Sequence, residues 1–393
     1  VTRAGTPGLT PRGWALLAVA AALAAAAFLV QIEELYPIAA SAIVLVVVAR
    51  LWVASRQIDV RVIRHVRPTR VPAGAGARVE LSVTNDAHRR SPVLAAQDPF
   101  DGGKRWARFL IAPLEPGEVR LAAYGLPTTQ RGVFQLGPLE LALTDPFGLA
   151  RVVAVASGSS CLTVHPKVEP IRSRHVPAQP DPDTKVPLPV VGQVGDEFYG
   201  LREYRPGDDL RRVHWASTAR LDQLIIRQPE NLLQGRLTLG VDLRAPLHDT
   251  TTLEAALSAA ASILTAAQRE RVHVRLVTTA GVDTGFGSTY AHCATALDLL
   301  AAAELHRGTT LSDELPLGTD SGPLVLITTQ WAGEGDLAAL TRRGSRDRAT
   351  VVVFERSPGD GLPDLLVHRL SHCRYVPVRC GGSFRAAWEG VAC

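Results

Sequence analysis

Residues 236–242 read RLTLGVD, residues 252–269 read TLEAALSAAASILTAAQR, and residues 272–278 read VHVRLVT. The first and last are short apolar runs rich in leucine and valine, while the stretch between them repeats its apolar positions at helical spacing. Strand, helix and strand in that order predict a parallel pair, because parallel strands need a crossover and a helix supplies one. Downstream, a helix is expected over 289–305 and strands over 324–328 and 350–354, with a further apolar stretch at 337–342 between them. An α/β domain with a mostly parallel sheet is therefore expected over residues 235–393.

Working back towards the N-terminus, the rhythm shortens. From residue 57 to 168, alternating apolar segments at 60–62, 78–83, 119–126 and 139–143 are separated by turns at 72–76, 115–117 and 137–138. Proline presets φ in such turns and glycine tolerates positive φ. The pattern reads as a β-sandwich-like domain. Residues 169–194 form a proline-rich linker holding Pro177, Pro180, Pro182, Pro187 and Pro189. Such a composition favours extended backbone. Residues 195–234, between linker and α/β domain, carry a dense cluster of charges.

The first 54 residues hold two apolar runs, at 14–30 and 37–54, the second interrupted only by Arg50. Each approaches the roughly 20 apolar residues that a membrane-spanning helix needs. The connection at 31–36 carries Glu33 and Glu34 and no basic residue, whereas Arg3 and Arg12 precede the first run and Arg50, Arg56, Arg61, Arg64 and Arg67 end or follow the second. The positive-inside rule then gives a transmembrane hairpin over 14–54, in contact with membrane lipid and preceded by a cytoplasmic segment at 1–13. The expected location is the plasma membrane, multi-pass, with the soluble domains cytoplasmic. A cleaved signal peptide is the alternative for the first run; the second would still leave the rest of the chain inside.

Composition narrows the function. Only three of the 42 basic residues are lysine, and the net charge of +4 is spread among intermixed acidic residues. No concentrated basic footprint points to nucleic acid. The arginine, alanine and glycine bias fits a GC-rich bacterial genome, and Val1 in a chain without methionine fits a GTG start. Five cysteines without a CxxC pair indicate neither a disulfide framework nor a zinc site. No motif asks for a cofactor.

Two stretches stand out. The first is Arg131-Gly132 with the following VFQLGP, then Asp145-Pro146-Phe147-Gly148-Leu149 and later Val164-His165-Pro166. The second runs Gly195-Asp196-Glu197, then Arg202-Glu203-Tyr204, Gly207-Asp208-Asp209, Arg211, His214-Trp215, Thr218 and Arg220. Together with the hairpin before them and the α/β segment after them, they resemble domain-of-unknown-function family 58, over essentially the whole chain. The resemblance implies a membrane hairpin, a β-rich region and a von Willebrand factor A-like α/β domain. It also implies a partner, since members are commonly encoded beside MoxR-type AAA+ ATPases, and it implies no established activity.

Taken by themselves, the carboxylates and arginines of residues 195–220 can pair bidentately and lock an extended segment onto a folded domain. Pro206 through Asp209 reads as a turn, Trp215 as a packing anchor, and Phe147 and Leu149 as plugs of the sandwich. The catalytic alternative is a metal-dependent or acid/base hydrolase using Asp196, Glu197, Asp208, Asp209 and His214; a structural membrane organiser without an ATPase partner is a third reading. In the von Willebrand factor A-like fold implied by the resemblance, a D-x-S-x-S sequence after the first strand holds a divalent cation. Here Asp242 is kept, but Arg244 and Pro246 replace both serines, and Thr328, Thr329 and Gln330 stand where a later aspartate belongs. Loss of the metal site is expected, and an assembly or docking protein without catalytic activity is the favoured function.

Overall fold

The computed structural model describes residues 3–56, 58–172, 199–203, 213–221, 223–229, 236–308, 310–311, 315, 323–332, 349–355 and 374–390. The chain divides into two compact units, Val1–His165 and Pro166–Cys393.

In the first unit, β1 (Arg3–Ala4) and β2 (Gly8–Leu9) lead into two 20-residue helices, α1 (Pro11–Val30) and α2 (Leu35–Ala54). Thr10 caps α1 by accepting the Gly13 N–H at 3.2 Å, and Pro11 follows it in the first turn, where its missing N–H costs nothing. The buried positions are Gly13, Ala20 and Ala27 on α1, seven residues apart, and Ala39, Val46, Ala49 and Val53 on α2. Val46 and Val53, with Ala49, pack into the core of the β region that follows. Both helices are long and apolar enough to cross a membrane, with mean hydropathies of 2.3 and 2.2, and their outer faces are uncovered.

The β region follows as β3 (Val60–Arg67), β4 (Arg70–Pro72), β5 (Ala77–Asn85), β6 (Leu94–Phe100), β7 (Arg105–Ile111), β8 (Val119–Leu126), β9 (Gly132–Leu136), β10 (Leu139–Thr144), β11 (Ala150–Ser157) and β12 (Ser160–His165). One sheet has the order β1-β11-β10-β6-β9-β12-β4, with β2 also on β11 and β7 on β6; the other is β3-β5-β8. Period-two burial on β3 and β6 sends Val60, Val62, Val66, Leu94, Ala96 and Phe100 into one shared core. The same alternation sends two charges inward, Arg64 on β3 and Asp98 on β6. They meet at 2.8 Å with side chains 1% and 0% exposed, and Arg64 also donates to the carbonyls of Leu136 and Gly158. Gly137 makes room for that guanidinium: its φ is +84°, and an added Cβ would lie 2.6 Å from Arg64 Nη1. Arg64 therefore serves the core and not the membrane flank to which its sequence position assigned it.

The expected cytoplasmic segment at 1–13 is part of this unit. Arg3 pairs with Val155 and Leu9 with Ala150, both antiparallel on β11. The unit ends at His165 instead of residue 168.

The second unit contributes β13 (Tyr199–Glu203), α3 (Trp215–Leu221), β14 (Ile225–Pro229), β15 (Arg236–Val241), α4 (Thr250–Arg269), β16 (His273–Thr278), α5 (Tyr290–Ala302), β17 (Leu324–Thr329), β18 (Ala349–Phe354), β19 (Arg374–Val378) and α6 (Phe384–Gly390). β15 to β19 form one parallel sheet in the order β16-β15-β17-β18-β19. Asp249 starts α4 with a reciprocal capping box to Thr252, and the helix buries Ala256, Leu257, Ala260, Ile263 and Leu264 against one sheet face. α5 and α6 join the same core through Ala296, Leu300, Phe384 and Trp388. Leu311 and Leu315 pack on the opposite face against Val277, Leu326, Val351 and Val353. The apolar stretch at 337–342 lies outside the described residues.

Candidate functional site

In an open parallel sheet the chain reverses its winding direction at one place, and there the connections at the carboxyl ends of two neighbouring strands diverge to leave a crevice. Here that place lies between β15 and β17: β15 crosses by α4 to β16 on one side, and the chain then returns to the other side. Asp242 follows β15, and Thr328 and Thr329 end β17, so the residues singled out in the sequence converge on this crevice.

Their arrangement is closed. Arg244 donates from Nε to Asp242 Oδ1 at 2.9 Å and from Nη2 to Oδ2 at 2.7 Å, while its backbone N–H adds a bond to Oδ1 at 3.2 Å. The Thr328 hydroxyl donates to Oδ2 at 3.0 Å. Four donors thus occupy the four lone-pair positions of the carboxylate. Asp242 and Arg244 are buried, whereas Pro246 is exposed. Thr329 donates to the Leu247 carbonyl at 3.0 Å, and Thr279 at the end of β16 accepts the Leu243 N–H and contacts His306 Nε2. Among the described residues, no three His, Cys, Asp or Glu side chains stand close enough to hold a metal ion.

His248 was not anticipated from the sequence, because a lone histidine in a loop carries no spacing signal. It is 5% exposed, and among the described residues neither ring nitrogen finds a hydrogen-bond partner; the same holds for Oε1 of Gln330, the residue after β17. Burial holds the imidazole below its ordinary value of 6.5, and the opposing pull of the Asp242 carboxylate and backbone and of the Asp249 carboxylate does not offset it. The unfolded chain therefore binds a proton that the folded chain refuses. Stability is expected to fall as pH drops below about 6.5 and to go on falling until the folded-state value is reached. Thermal unfolding followed from about pH 7.5 to 5 should show a steeper loss in the wild type than in His248→Asn; parallel slopes would refute this.

The second charged stretch is described in part. Gly195, Asp196, Glu197, Tyr204, Gly207, Asp208, Asp209 and Arg211 lie outside the described residues, so the ion-pair network expected of them does too. Arg202 and Glu203 fall on β13, which pairs antiparallel with β14 from Tyr199↔Pro229 to Glu203↔Ile225. His214 stands before α3, and its Nδ1 accepts the Ser217 N–H at 3.2 Å, as an N-cap does, while sitting 2.8 Å from the Ser217 hydroxyl. Its own N–H donates to the Ile225 carbonyl at 2.7 Å, and Thr218 Oγ1 accepts the Ile225 N–H at 3.0 Å. Both residues stitch α3 to β14. Trp215 does not anchor packing as expected: it is 68% exposed at the start of α3, with Arg220 exposed in the last turn.

In the first unit, Asp145 closes the turn that precedes β11. Its carboxylate accepts the N–H groups of Phe147 at 2.9 Å and Ala150 at 2.5 Å, and Gly148 adopts φ +71°. Leu149 is buried as expected, but Phe147 is 64% exposed and plugs nothing. The turn instead receives the first helix: Thr10 donates from its backbone to the Leu149 carbonyl at 2.9 Å and from its hydroxyl to the Gly148 carbonyl at 2.5 Å. Gly13 rests so closely on the Leu149 carbonyl that a Cβ there would collide with it. Gly132, with φ +151°, opens β9 beside the Phe134 ring, next to the half-buried Arg131.

Compared with known families, residues 200–315 match the model described as protein of unknown function DUF58. No curated protein matches the chain. Among solved structures, the CARDB domain of the PF1109 protein from Pyrococcus furiosus, in complex with di-metal ions, is 15% identical with a TM-score of 0.21, covering 27% of this chain and 92% of that one. A β-glucosidase from Listeria innocua is 13% identical at a TM-score of 0.19, covering 28% of this chain and 16% of that one. The Pseudomonas fluorescens alkylpurine DNA glycosylase AlkC, bound to DNA, is 12% identical at 0.20, covering 34% and 39%. At these scores none of the three bears on the fold or chemistry of the chain.

Proposed function

We propose that this chain is a membrane-anchored docking or assembly protein without catalytic activity, whose von Willebrand factor A-like domain engages a MoxR-type AAA+ ATPase. The observation that carries the reading is the saturated carboxylate of Asp242. At the crevice where a parallel α/β sheet normally presents its reactive groups, the one central carboxylate is consumed by Arg244 and Thr328. It holds no position open for a cation or for proton transfer. His214, the only acid/base candidate in the signature that is described in full, has Nδ1 committed to its helix cap. Trp215 beside it is exposed, and exposed aromatics are what partner surfaces use. The ATPase partner comes from the family resemblance, which the match over residues 200–315 supports.

Anchoring follows from α1 and α2, and the N-terminal strands bear on its topology. β1 and β2 precede α1 yet pair with β11, which lies beyond α2, so the two ends of the hairpin share one side of the membrane. The arginines flanking both helices make that side the cytoplasm. A retained first helix is favoured over a cleaved signal, because Thr10 and Gly13 are built into the 145–149 turn.

Crosslinking of the full-length protein in its native membrane, followed by mass spectrometry, is expected to recover the AAA+ ATPase, with recovery reduced in Trp215→Ser. An alkaline phosphatase fused after His165 should be inactive. Hydrolytic turnover lost in His214→Ala, with ATPase capture unchanged, would overturn the docking reading, and an active phosphatase fusion would overturn the orientation.

A further inference from the structure

The turn at 145–149 has two sides. On its inner side it holds the start of the first helix: Thr10 donates to the carbonyls of Gly148 and Leu149, and Gly13 rests on the Leu149 carbonyl. On its outer side it presents Phe147, 64% exposed beside an exposed Pro146. The Asp145 carboxylate fixes the backbone of that presentation, because it accepts the Phe147 N–H at 2.9 Å. A single exposed phenylalanine is ordinary on a soluble surface. This one is tied to the residue that caps an apolar helix long enough to cross a bilayer.

The helices set the level of that turn. α1 and α2 pack as a hairpin that reverses between Val30 and Leu35, so Trp14 stands level with Leu51, one residue from Trp52. Trp14 is 63% exposed, and Trp52 is half-buried with Arg56 over its ring at 5.2 Å. Tryptophans at one end of a span mark the headgroup level, where an apolar ring and a polar N–H are both satisfied. Thr10 comes four residues before Trp14, about 6 Å further out along the helix. The headgroup layer is about 5–7 Å deep on each side of a bilayer, so the turn bound to Thr10 lies at that layer. The charge there is basic. Arg12 lies over Gly148, with Nη1 3.4 Å from where a Cβ would stand, and among the described residues no carboxylate comes within ion-pair distance of it.

We infer that the 145–149 turn docks on anionic phospholipid headgroups of the membrane that α1 and α2 cross, with Phe147 inserted at the level of the tryptophans and Arg12 set against the phosphates. The inference rests on the spanning reading of the two helices and goes beyond it: the β region has a bilayer contact of its own and is not held by the hairpin alone. Two features select lipid as the occupant. Through Thr10 and Gly13 the turn is continuous with the surface of the span. An arginine without a counter-charge beside an exposed aromatic ring also matches an interface that is apolar on one side and anionic on the other.

The test introduces the photocrosslinker p-benzoylphenylalanine at one exposed position at a time in the full-length protein, held in nanodiscs of equimolar phosphatidylglycerol and phosphatidylcholine. Val44→p-benzoylphenylalanine, in the middle of α2, should crosslink lipid and reports the span itself; Leu121→p-benzoylphenylalanine, 79% exposed on β8, should not. Phe147→p-benzoylphenylalanine should give lipid adducts by mass spectrometry, enriched about fivefold in phosphatidylglycerol, the factor one arginine contributes at an anionic surface, and Arg12→Gln should remove that enrichment. Lipid adducts at Val44 with none at Phe147 would overturn the proposal and leave the span standing. None at Val44 would overturn the span, and the proposal with it. Adducts between position 147 and a peptide of the second unit, or equal capture of the two lipids, would overturn the proposal as well.

Discussion

Asp98→Ala is expected to lower the unfolding free energy of the first unit by about 3–5 kcal/mol, because it leaves the Arg64 guanidinium buried without its counter-charge. The side chains of the pair are 1% and 0% exposed, so water cannot take the place of the carboxylate. The Tyr124 hydroxyl, which donates to Asp98 Oδ2 at 2.5 Å, loses its acceptor at the same time, adding about 1 kcal/mol. Burial, and then that hydrogen bond, push the Tyr124 hydroxyl well above its ordinary range, so it stays a donor at every accessible pH. The double variant Arg64→Met/Asp98→Leu should be far less damaged than Asp98→Ala, since replacing both charges by apolar groups removes the desolvation cost with the attraction. Urea unfolding of the three proteins checks this. A loss below about 1 kcal/mol for Asp98→Ala, the worth of an exposed pair, would show that water reaches Arg64 after all.

Arg244→Ala is expected to be comparably destabilising to the second unit, by about 3–5 kcal/mol, for the mirror-image reason: Asp242 is left buried as an unpaired anion. Thr328 and the backbone N–H of residue 244 each still donate one hydrogen bond and cannot replace the two lost with the guanidinium. A more specific outcome separates a generic buried pair from a substituted cation site. Arg244→Ser combined with Pro246→Ser returns two hydroxyls to the crevice beside Asp242 and removes the internal cation. If the domain is von Willebrand factor A-like, that variant should bind magnesium, and binding to the folded state alone would restore about 2.7 kcal/mol at a hundredfold excess over Kd. Isothermal titration and magnesium-dependent thermal unfolding read both effects. No heat, and a Tm indifferent to magnesium, would remove the support for that fold assignment.

What could be read along the chain was whatever a local period or a local substitution encodes. The two apolar helices, the alternation of β3 and β5, and the strand–helix–strand unit at β15, α4 and β16 were each legible, because a side chain's face is set by its own backbone geometry. The Asp242, Arg244 and Pro246 substitutions were legible for the same reason, three residues within one turn of chain. β19 and α6 were missed because a short proline-containing strand and a seven-residue helix carry almost no periodic signal. Tertiary structure decided everything that depends on a distant partner. Arg64 reads along the chain as one of five arginines beside a membrane helix, and only the closure of β3 over β6, which brings Asp98 from 34 residues away, makes it a core residue. Phe147 reads as a core residue and becomes exposed, because the turn around it gives its inner surface to Thr10 and Gly13 from 138 and 136 residues upstream. Trp215 was expected to pack and instead opens a short helix towards solvent. Period and propensity state which face of an element a residue occupies; which second element covers that face is settled by the folding of the whole unit, and for these three residues that second step decided burial or exposure.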